Sequence, residues 1–193
     1  MTINNINRIR DFLTFEEDIF YFLQILKRRK ENPDMETGVK VIKSFFIDSI
    51  EYFDRKVAEI IQLCEDNNAR AYINLNKRSY QKATVDMIKY LADSISNGQY
   101  RNCKFAFEKI AGQNRADKEK KWILDVDVKS KSYLVEISDY IASLKPEGEK
   151  VRFINETKNG YHIICKPFDP RTFKDKFADV EIQKDNPTIL YIP

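Results

Sequence analysis

Glycine and proline are scarce in this sequence of 193 residues, which contains only 5 glycines and 6 prolines. Long flexible linkers are rich in these residues, so the composition argues against such linkers. No charge of one sign dominates, because 33 lysines and arginines oppose 30 aspartates and glutamates, which gives a formal net charge of +3. Bulk charge alone therefore predicts no nucleic-acid partner, and local clusters of charge matter more.

Cysteine and histidine are also rare. The three cysteines, at positions 64, 103 and 165, are widely spaced and form no Cys-x-x-Cys pair, and the one histidine is His162. This spacing predicts reduced thiols in a cytoplasmic protein rather than a disulfide framework or a zinc site. The first twenty residues lack the basic-then-apolar pattern of a secretory signal, and no apolar run approaches membrane-spanning length. We therefore expect a cytoplasmic protein without a membrane partner.

The composition is that of a folded domain, with 42% hydrophobic and 33% charged residues. The apolar spacing in the first hundred residues predicts mostly helix. Residues 14–30 open with Thr14 and Glu17 at the spacing of a capping box and continue with apolar residues at helical intervals. Residues 37–65 predict a second helix with a break near Asp48. A turn and strand at 67–76 and helices at about 79–96 and 100–111 follow.

The pattern changes after residue 120. Strands and helices now alternate, and the Asn-Gly pair at 159–160 between two apolar runs is a strong hairpin signal. This order predicts an α+β fold with a mainly helical N-terminal region, 1–66, and an α/β core, 67–193, built on a mixed or antiparallel sheet. The predicted elements are a strand at 122–129, a helix at 132–144, the hairpin strands 151–157 and 161–168, a short helix within 169–177 and a strand at 187–192.

Two aspartates lie two residues apart in the apolar run "WILDVDVK". Because side chains alternate along a strand, Asp125 and Asp127 project from one face, roughly 7 Å apart. Two such carboxylates can bridge divalent cations, as two-metal phosphoryl transfer requires, and oxygen ligands suit Mg²⁺ or Mn²⁺. The alternative is a strand whose polar face meets water. The opposite face is apolar and consists of Leu124, Val126 and Val128.

The second polar feature is on the hairpin, where His162 and Lys166 are predicted on the same face of the second strand. A histidine and a lysine in this arrangement can bind an anion such as a triphosphate. The alternative is a half-buried histidine with an ordinary hydrogen bond.

These two segments together resemble motifs of the archaeo-eukaryotic primase and primase-polymerase superfamily. "WILDVDVK" is similar to that family's strand with two aspartates. "TKNGYHIICKPF" is similar to its second motif, with Thr157, Lys158, Gly160 and His162 in the matching places. "VEIQKDNPTILYIP" resembles the segment that carries a third acid, which we expect to be Asp185 rather than Glu181.

The resemblance implies an RRM-like primase core and two-metal nucleotidyl transfer on a nucleic-acid template. It implies that Asp125, Asp127 and Asp185 (or Glu181) bind Mg²⁺ or Mn²⁺. It further implies nucleotide contacts by Thr157, Lys158, His162 and Lys166, and nucleic-acid contacts by Lys77 and Arg78. The implied partners of such a small phage or plasmid replication protein are nucleoside triphosphates, a single-stranded DNA template, and a helicase or other replication proteins.

Two other functions fit parts of the sequence. Asp127 and Lys129 match the acid-x-Lys end of restriction-endonuclease-like nucleases, with Glu108 as the upstream acid. Alternatively, the sheet is a non-catalytic module whose aromatic side chains stack on bases. Three basic tracts are most simply solvated helix faces or loops, namely "KRRK" at 27–30, "NKRSYQK" at 76–82 and "RADKEKK" at 115–121.

Overall fold

The computed structural model describes residues 2–113 and 119–193, so most of the basic tract at 115–121 lies outside the described residues. Two antiparallel sheets and the helices packed on them make up the fold. The strands are β1 (Ile3–Asn4), β2 (Ile19–Arg28), β3 (Val39–Ile47), β4 (Arg70–Ile73), β5 (Arg78–Ser79), β6 (Trp122–Val126), β7 (Val151–Glu156), β8 (Tyr161–Cys165), β9 (Glu181–Gln183) and β10 (Thr188–Ile192). The helices are α1 (Ile6–Phe12), α2 (Ile50–Asn67), α3 (Tyr80–Ser96), a 3-10 helix (Tyr100–Phe105), α4 (Ala106–Gln113), α5 (Lys131–Ser143) and α6 (Phe173–Lys176).

The first sheet has the strand order β1-β10-β4-β2-β3, with β5 paired to β2. Strand β2, which pairs with β3, β4 and β5, is covered on both faces. Leu23 and Ile25 join the core beneath α1 and α2, whereas Phe20 and Phe22 join a second core beneath α3 and α4. This double burial removes most of the apolar surface of β2 from water.

The second sheet has the order β7-β8-β6-β9, and every pairing in it is antiparallel. Leu124 and Val126 of β6 pack with α5 and α6 on one face. On the other face, Ile164 of β8 enters the core of the first sheet, so the two sheets share an apolar contact. The predicted α+β class is therefore confirmed, with antiparallel sheets.

The helix predicted at 14–30 is wrong, because residues 19–28 form strand β2. The run "IFYFLQIL" is almost continuously apolar, so it satisfies helical spacing by coincidence, and its burial on two sheet faces explains why it is so apolar. Thr14 does not cap a helix. Its backbone exchanges hydrogen bonds with the hydroxyl of Tyr21.

The helix predicted at 37–65 is half right. Residues 39–47 form strand β3, and α2 begins only after Ser49, whose side chain accepts a hydrogen bond from the Tyr52 amide at 3.2 Å. The region 1–66 is therefore not mainly helical. The first sheet also crosses the predicted boundary at residue 66, because β2 pairs with β4 and β1 pairs with β10.

Most C-terminal elements follow the sequence prediction, but β6 ends at Val126 rather than at residue 129, so Asp127 lies just after the strand, and β9 is an additional strand. The hairpin is formed by β7 and β8, and a short helix and the final strand occur within the predicted ranges. The three cysteines are free thiols, and burial raises the pKa of Cys64 and Cys165 to about 12. Within 2–113 and 119–193, no helix is long and apolar enough to cross a membrane.

Candidate active site

A cleft of about 460 Å³ lies where the two sheets meet. Its volume is within the range of about 300 to 1,000 Å³ that is usual for small-molecule sites. The first sheet contributes one side, which we call the arginine wall and define as Arg28, Lys30, Arg70 and Tyr72. The second sheet and its hairpin turn contribute the other side, which we call the carboxylate wall and define as Asp125, Asp127, Thr157, Lys158, Asn159 and His162.

A row of polar side chains crosses the second sheet at the carboxylate wall. Asn155 is opposite His162, His162 is opposite Asp125, and Asp125 is opposite Glu181 in the register of the four strands. Directly opposed residues of antiparallel strands project from the same face. The alternation that the sequence predicts for β6 therefore holds, since Asp125 faces the cleft while its neighbours Leu124 and Val126 are buried on the other face.

The hairpin turn 157–160 is closed by Thr157. Its backbone amide donates to the carbonyl of Gly160, and its hydroxyl accepts from the amide of Gly160, both at 3.0 Å. Gly160 packs directly on the backbone after β6, where an added Cβ would lie 1.8 Å from the Val126 carbonyl oxygen and 2.8 Å from the Val128 nitrogen. Only glycine permits this approach, which holds the turn against the segment carrying Asp127.

His162 is held by polar contacts on both ring nitrogens. Its Nδ1 lies 2.9 Å from the Thr188 hydroxyl, and the side-chain amide of Asn155 donates to the same hydroxyl at 3.1 Å. Its Nε2 lies 3.4 Å from a carboxylate oxygen of Asp125, whose other oxygen accepts from Gln183 at 3.2 Å. These contacts link β7, β10, β8, β6 and β9.

The contact between Nε2 and the Asp125 carboxylate indicates which ring nitrogen of His162 carries the proton. An ionised Asp125 only accepts hydrogen bonds, so the Nε2 that faces it must carry the proton. In the neutral ring, Nδ1 is then an acceptor, and the Thr188 hydroxyl donates to it. Thr188 and Asn155 are positioning residues that hold the His162 ring with its Nε2 toward Asp125.

The two candidates for a third acid have different surroundings. Asp185 accepts hydrogen bonds from Asn76 at 2.9 Å and from Arg78 at 3.3 Å, and it does not line the cleft. Glu181 is exposed and directly opposite Asp125 on the neighbouring strand. The sequence favours Asp185 as the third ligand. In the structure, its carboxylate is already hydrogen-bonded to Asn76 and Arg78. Glu181, in contrast, shares the face of Asp125.

The basic residues predicted to contact nucleic acid point inward. The side chain of Arg78 is completely buried, with its Nε donating to the Ala111 carbonyl at 3.0 Å in addition to the contact with Asp185. Lys77 is buried and pairs with Glu16. Both side chains therefore present little surface to a nucleic acid, and their contact with nucleic acid stays a prediction.

Two other predicted residues lie away from the cleft. Lys166 follows β8 and is exposed, and it does not line the cavity. Glu108, the upstream acid of the nuclease hypothesis, lines a separate groove with Phe22 and Gln24. The described structure therefore does not bring Glu108 to Asp127.

Sequence analysis missed the arginine wall. Arg28 and Lys30 belong to the tract "KRRK", interpreted as solvated, and Arg70 and Tyr72 lie on β4. The Tyr72 hydroxyl accepts a hydrogen bond from Arg28 at 3.1 Å, and this bond raises the pKa of Arg28 above its usual value. Within the tract only residues 28 and 30 line the cleft, and no local signal joins them to Arg70 and Tyr72.

Comparison of the chain with protein-family models, curated proteins and solved structures gave no match. Within the part of the chain that the structure describes, no group of three or more His, Cys, Asp and Glu side chains converges in a way that could hold a metal ion. The geometry of the cleft is therefore the basis for assigning a function.

Proposed function

We propose that the protein is a primase-polymerase-type nucleotidyltransferase that adds nucleotides on a single-stranded DNA template. One observation carries this proposal: Asp125 on β6 and Asp127 just after it line one cleft with Lys158 of the hairpin turn and His162 of β8, although helix α5 separates the two segments in the chain. These are the two segments whose motifs resemble the primase superfamily. A cytoplasmic phage or plasmid replication protein that acts with a helicase is the setting we propose.

The carboxylates of Asp125 and Asp127 are suited to a metal ion that binds together with the phosphates of the substrate. Mg²⁺ commonly takes one or two protein carboxylates and completes its shell with waters and substrate phosphates. Asp125 and Asp127 supply two such carboxylates at the cleft, whereas a preformed site with three acids does not fit the described residues. Mg²⁺ or Mn²⁺ bound at Asp125 and Asp127 would supply Lewis acidity toward the phosphoryl oxygens.

The other residues of the carboxylate wall act on the nucleotide by charge and hydrogen bonding. The Nε2 proton of His162, directed at Asp125 by Thr188, is available to a phosphate oxygen placed beside that carboxylate. Lys158 adds a positive charge from the turn that Thr157 closes. Since the contacts with Thr188 and Asp125 hold His162 before substrate binds, its ring orients the triphosphate without further rearrangement.

Primer extension on single-stranded DNA with Mn²⁺ and all nucleoside triphosphates tests the proposal. Activity should fall by about 100-fold or more in the variant with Asp125→Asn and Asp127→Asn, because a catalytic metal contributes several kcal/mol of charge stabilisation. Asp11→Asn, an exposed aspartate on α1, is the matched control and should retain activity.

Two results would contradict the proposal. Unchanged extension by the double variant would remove the carboxylates from the reaction. Single-strand binding that needs no divalent metal, with no nucleotide incorporation by the wild-type protein, would indicate a binding module instead.

A further inference from the structure

The arginine wall has more N–H donors than the described residues accept. An arginine has five N–H donors. Arg70 donates to Glu31, and its buried Nε has no acceptor among the described residues. Arg28 donates to Tyr72 and lies 4.0 Å from Glu31. Both guanidinium groups therefore keep donors that no described protein group accepts.

Glu31 holds these arginines without neutralising them. Its carboxylate pairs with Arg70, and its second oxygen is buried without a hydrogen-bond partner among the described residues. One carboxylate thus faces Arg28 and Arg70, and Lys30 adds a third positive charge, which leaves the wall cationic. Arg70 is 8% exposed, so its position is fixed by packing before any ligand binds.

The distribution of charge over the cleft is uneven. Three of its four lining cations belong to the arginine wall, whereas both lining carboxylates belong to the other wall. An anion without a metal is repelled by Asp125 and Asp127 and attracted by Arg28, Lys30 and Arg70. A phosphate group matches the arginine wall best, because guanidinium forks bind phosphate oxygens in pairs.

We propose that the arginine wall is a second phosphate-binding subsite, separate from the metal-dependent contacts of the carboxylate wall. It takes a phosphate group of a nucleotide or of a nucleic-acid backbone, and Glu31 holds Arg28 and Arg70 ready for it. The inference rests on the proposed function for the kind of molecule that enters the cleft. Unlike that function, the subsite requires no metal.

The tract "KRRK" provides both the variant and its matched control. Arg28→Gln with Lys30→Gln removes two cleft-lining charges, and Lys27→Gln with Arg29→Gln removes the same net charge from residues that do not line the cleft. Arg70 is left intact in both, so that buried Glu31 keeps its partner. Binding is measured in EDTA, by calorimetry with inorganic triphosphate and by fluorescence anisotropy with a labelled oligothymidylate.

We expect the wall variant to weaken binding of at least one probe while the control variant binds as the wild type does. For the oligonucleotide, the slope of log K against log salt should fall by about 0.7 for each phosphate that the variant no longer binds. Weakening confined to triphosphate identifies the nucleotide as the source of the phosphate, and weakening confined to the oligonucleotide identifies the backbone.

Equal behaviour of the two variants with both probes would overturn the proposal, because net charge would then explain the binding. Loss of metal-free binding in the variant with Asp125→Asn and Asp127→Asn would also overturn it. Since these measurements use EDTA, a protein that fails to extend primers can still show the subsite. Failure of the proposed function is thus distinct from failure of this inference.

Discussion

The two walls of the cleft are held in place by different forces. The carboxylate wall depends on backbone contact and short-range pairing: β6 and β8 are hydrogen-bonded neighbours, and Gly160 packs on the chain beside Asp127. The arginine wall combines the pairing of β2 with β4 and an ion pair between separate segments, that of Arg70 with Glu31. A substitution that adds volume should therefore disturb the carboxylate wall most. A substitution that removes a charge should disturb the arginine wall most.

The two sheets that carry these walls are themselves joined by a buried cluster of polar groups. Asn76 binds the backbone at Lys121 and the side chain of Asp185, and Arg78 completes the cluster. Residues from β4–β5, from the start of β6 and from the segment before β10 meet here. The relative position of the two walls therefore depends on this cluster. We expect its disruption to have the largest effect on stability.

Asp185→Asn should lower the free energy of unfolding by about 3 kcal/mol, because it leaves the buried charge of Arg78 without its carboxylate. Urea denaturation measures this change. The control is Asp54→Asn, which removes an exposed pair with Arg10 and should leave the free energy of unfolding close to that of the wild type. An Asp185→Asn protein of wild-type stability that has lost Mn²⁺-dependent nucleotide binding would instead make Asp185 a metal ligand.

Gly160→Ala tests the carboxylate wall alone. The new Cβ would meet the Val126 carbonyl, a backbone atom that no side-chain rotation can move, so we expect a loss near the top of the range of about 1 to 3 kcal/mol for overpacking. Gly38→Ala is the matched control, since a Cβ added at Gly38 would meet no described atom within 4 Å. Thermal and urea unfolding measure the stability of both proteins. Equal stabilities would contradict the close approach of Gly160 to the Val126 carbonyl.

Thr188→Val has the smallest expected effect on stability and tests the orientation of His162. Loss of the hydroxyl removes two buried hydrogen bonds at about 1 kcal/mol each. Because His162 is the sole histidine, ¹⁵N NMR at alkaline pH reports its tautomer directly. We expect the Nε2–H form in the wild type and a mixture of both forms in the Thr188→Val protein.

Thr188→Ser is the matched variant for this measurement, because it keeps the hydroxyl and should restore the Nε2–H form. If the Thr188→Val protein retained a single Nε2–H tautomer, Asp125 alone would orient the ring. Thr188 would then stabilise the fold without positioning His162.

The candidate site was partly predictable from sequence. The strand with Asp125 and Asp127 and the hairpin with His162 were found because each is specified within about ten consecutive residues by alternation and by an Asn-Gly turn. The arginine wall was not predictable in this way. Arg28 and Arg70 lie far apart in the chain, and only the pairing of β2 with β4 makes them neighbours.

Local signals in the sequence specify the hairpin, the apolar and polar faces of β6, and the α+β class. Tertiary structure decided whether "IFYFLQIL" is a helix or a strand, because a continuous apolar run has no period of its own until it is buried on two faces. It also decided that Arg78 and Asp185 point inward and that Arg28 lines the cleft. The sequence alone does not show whether a charged side chain points toward the core or toward solvent. Its direction depends on its partner, which often lies far away in the chain.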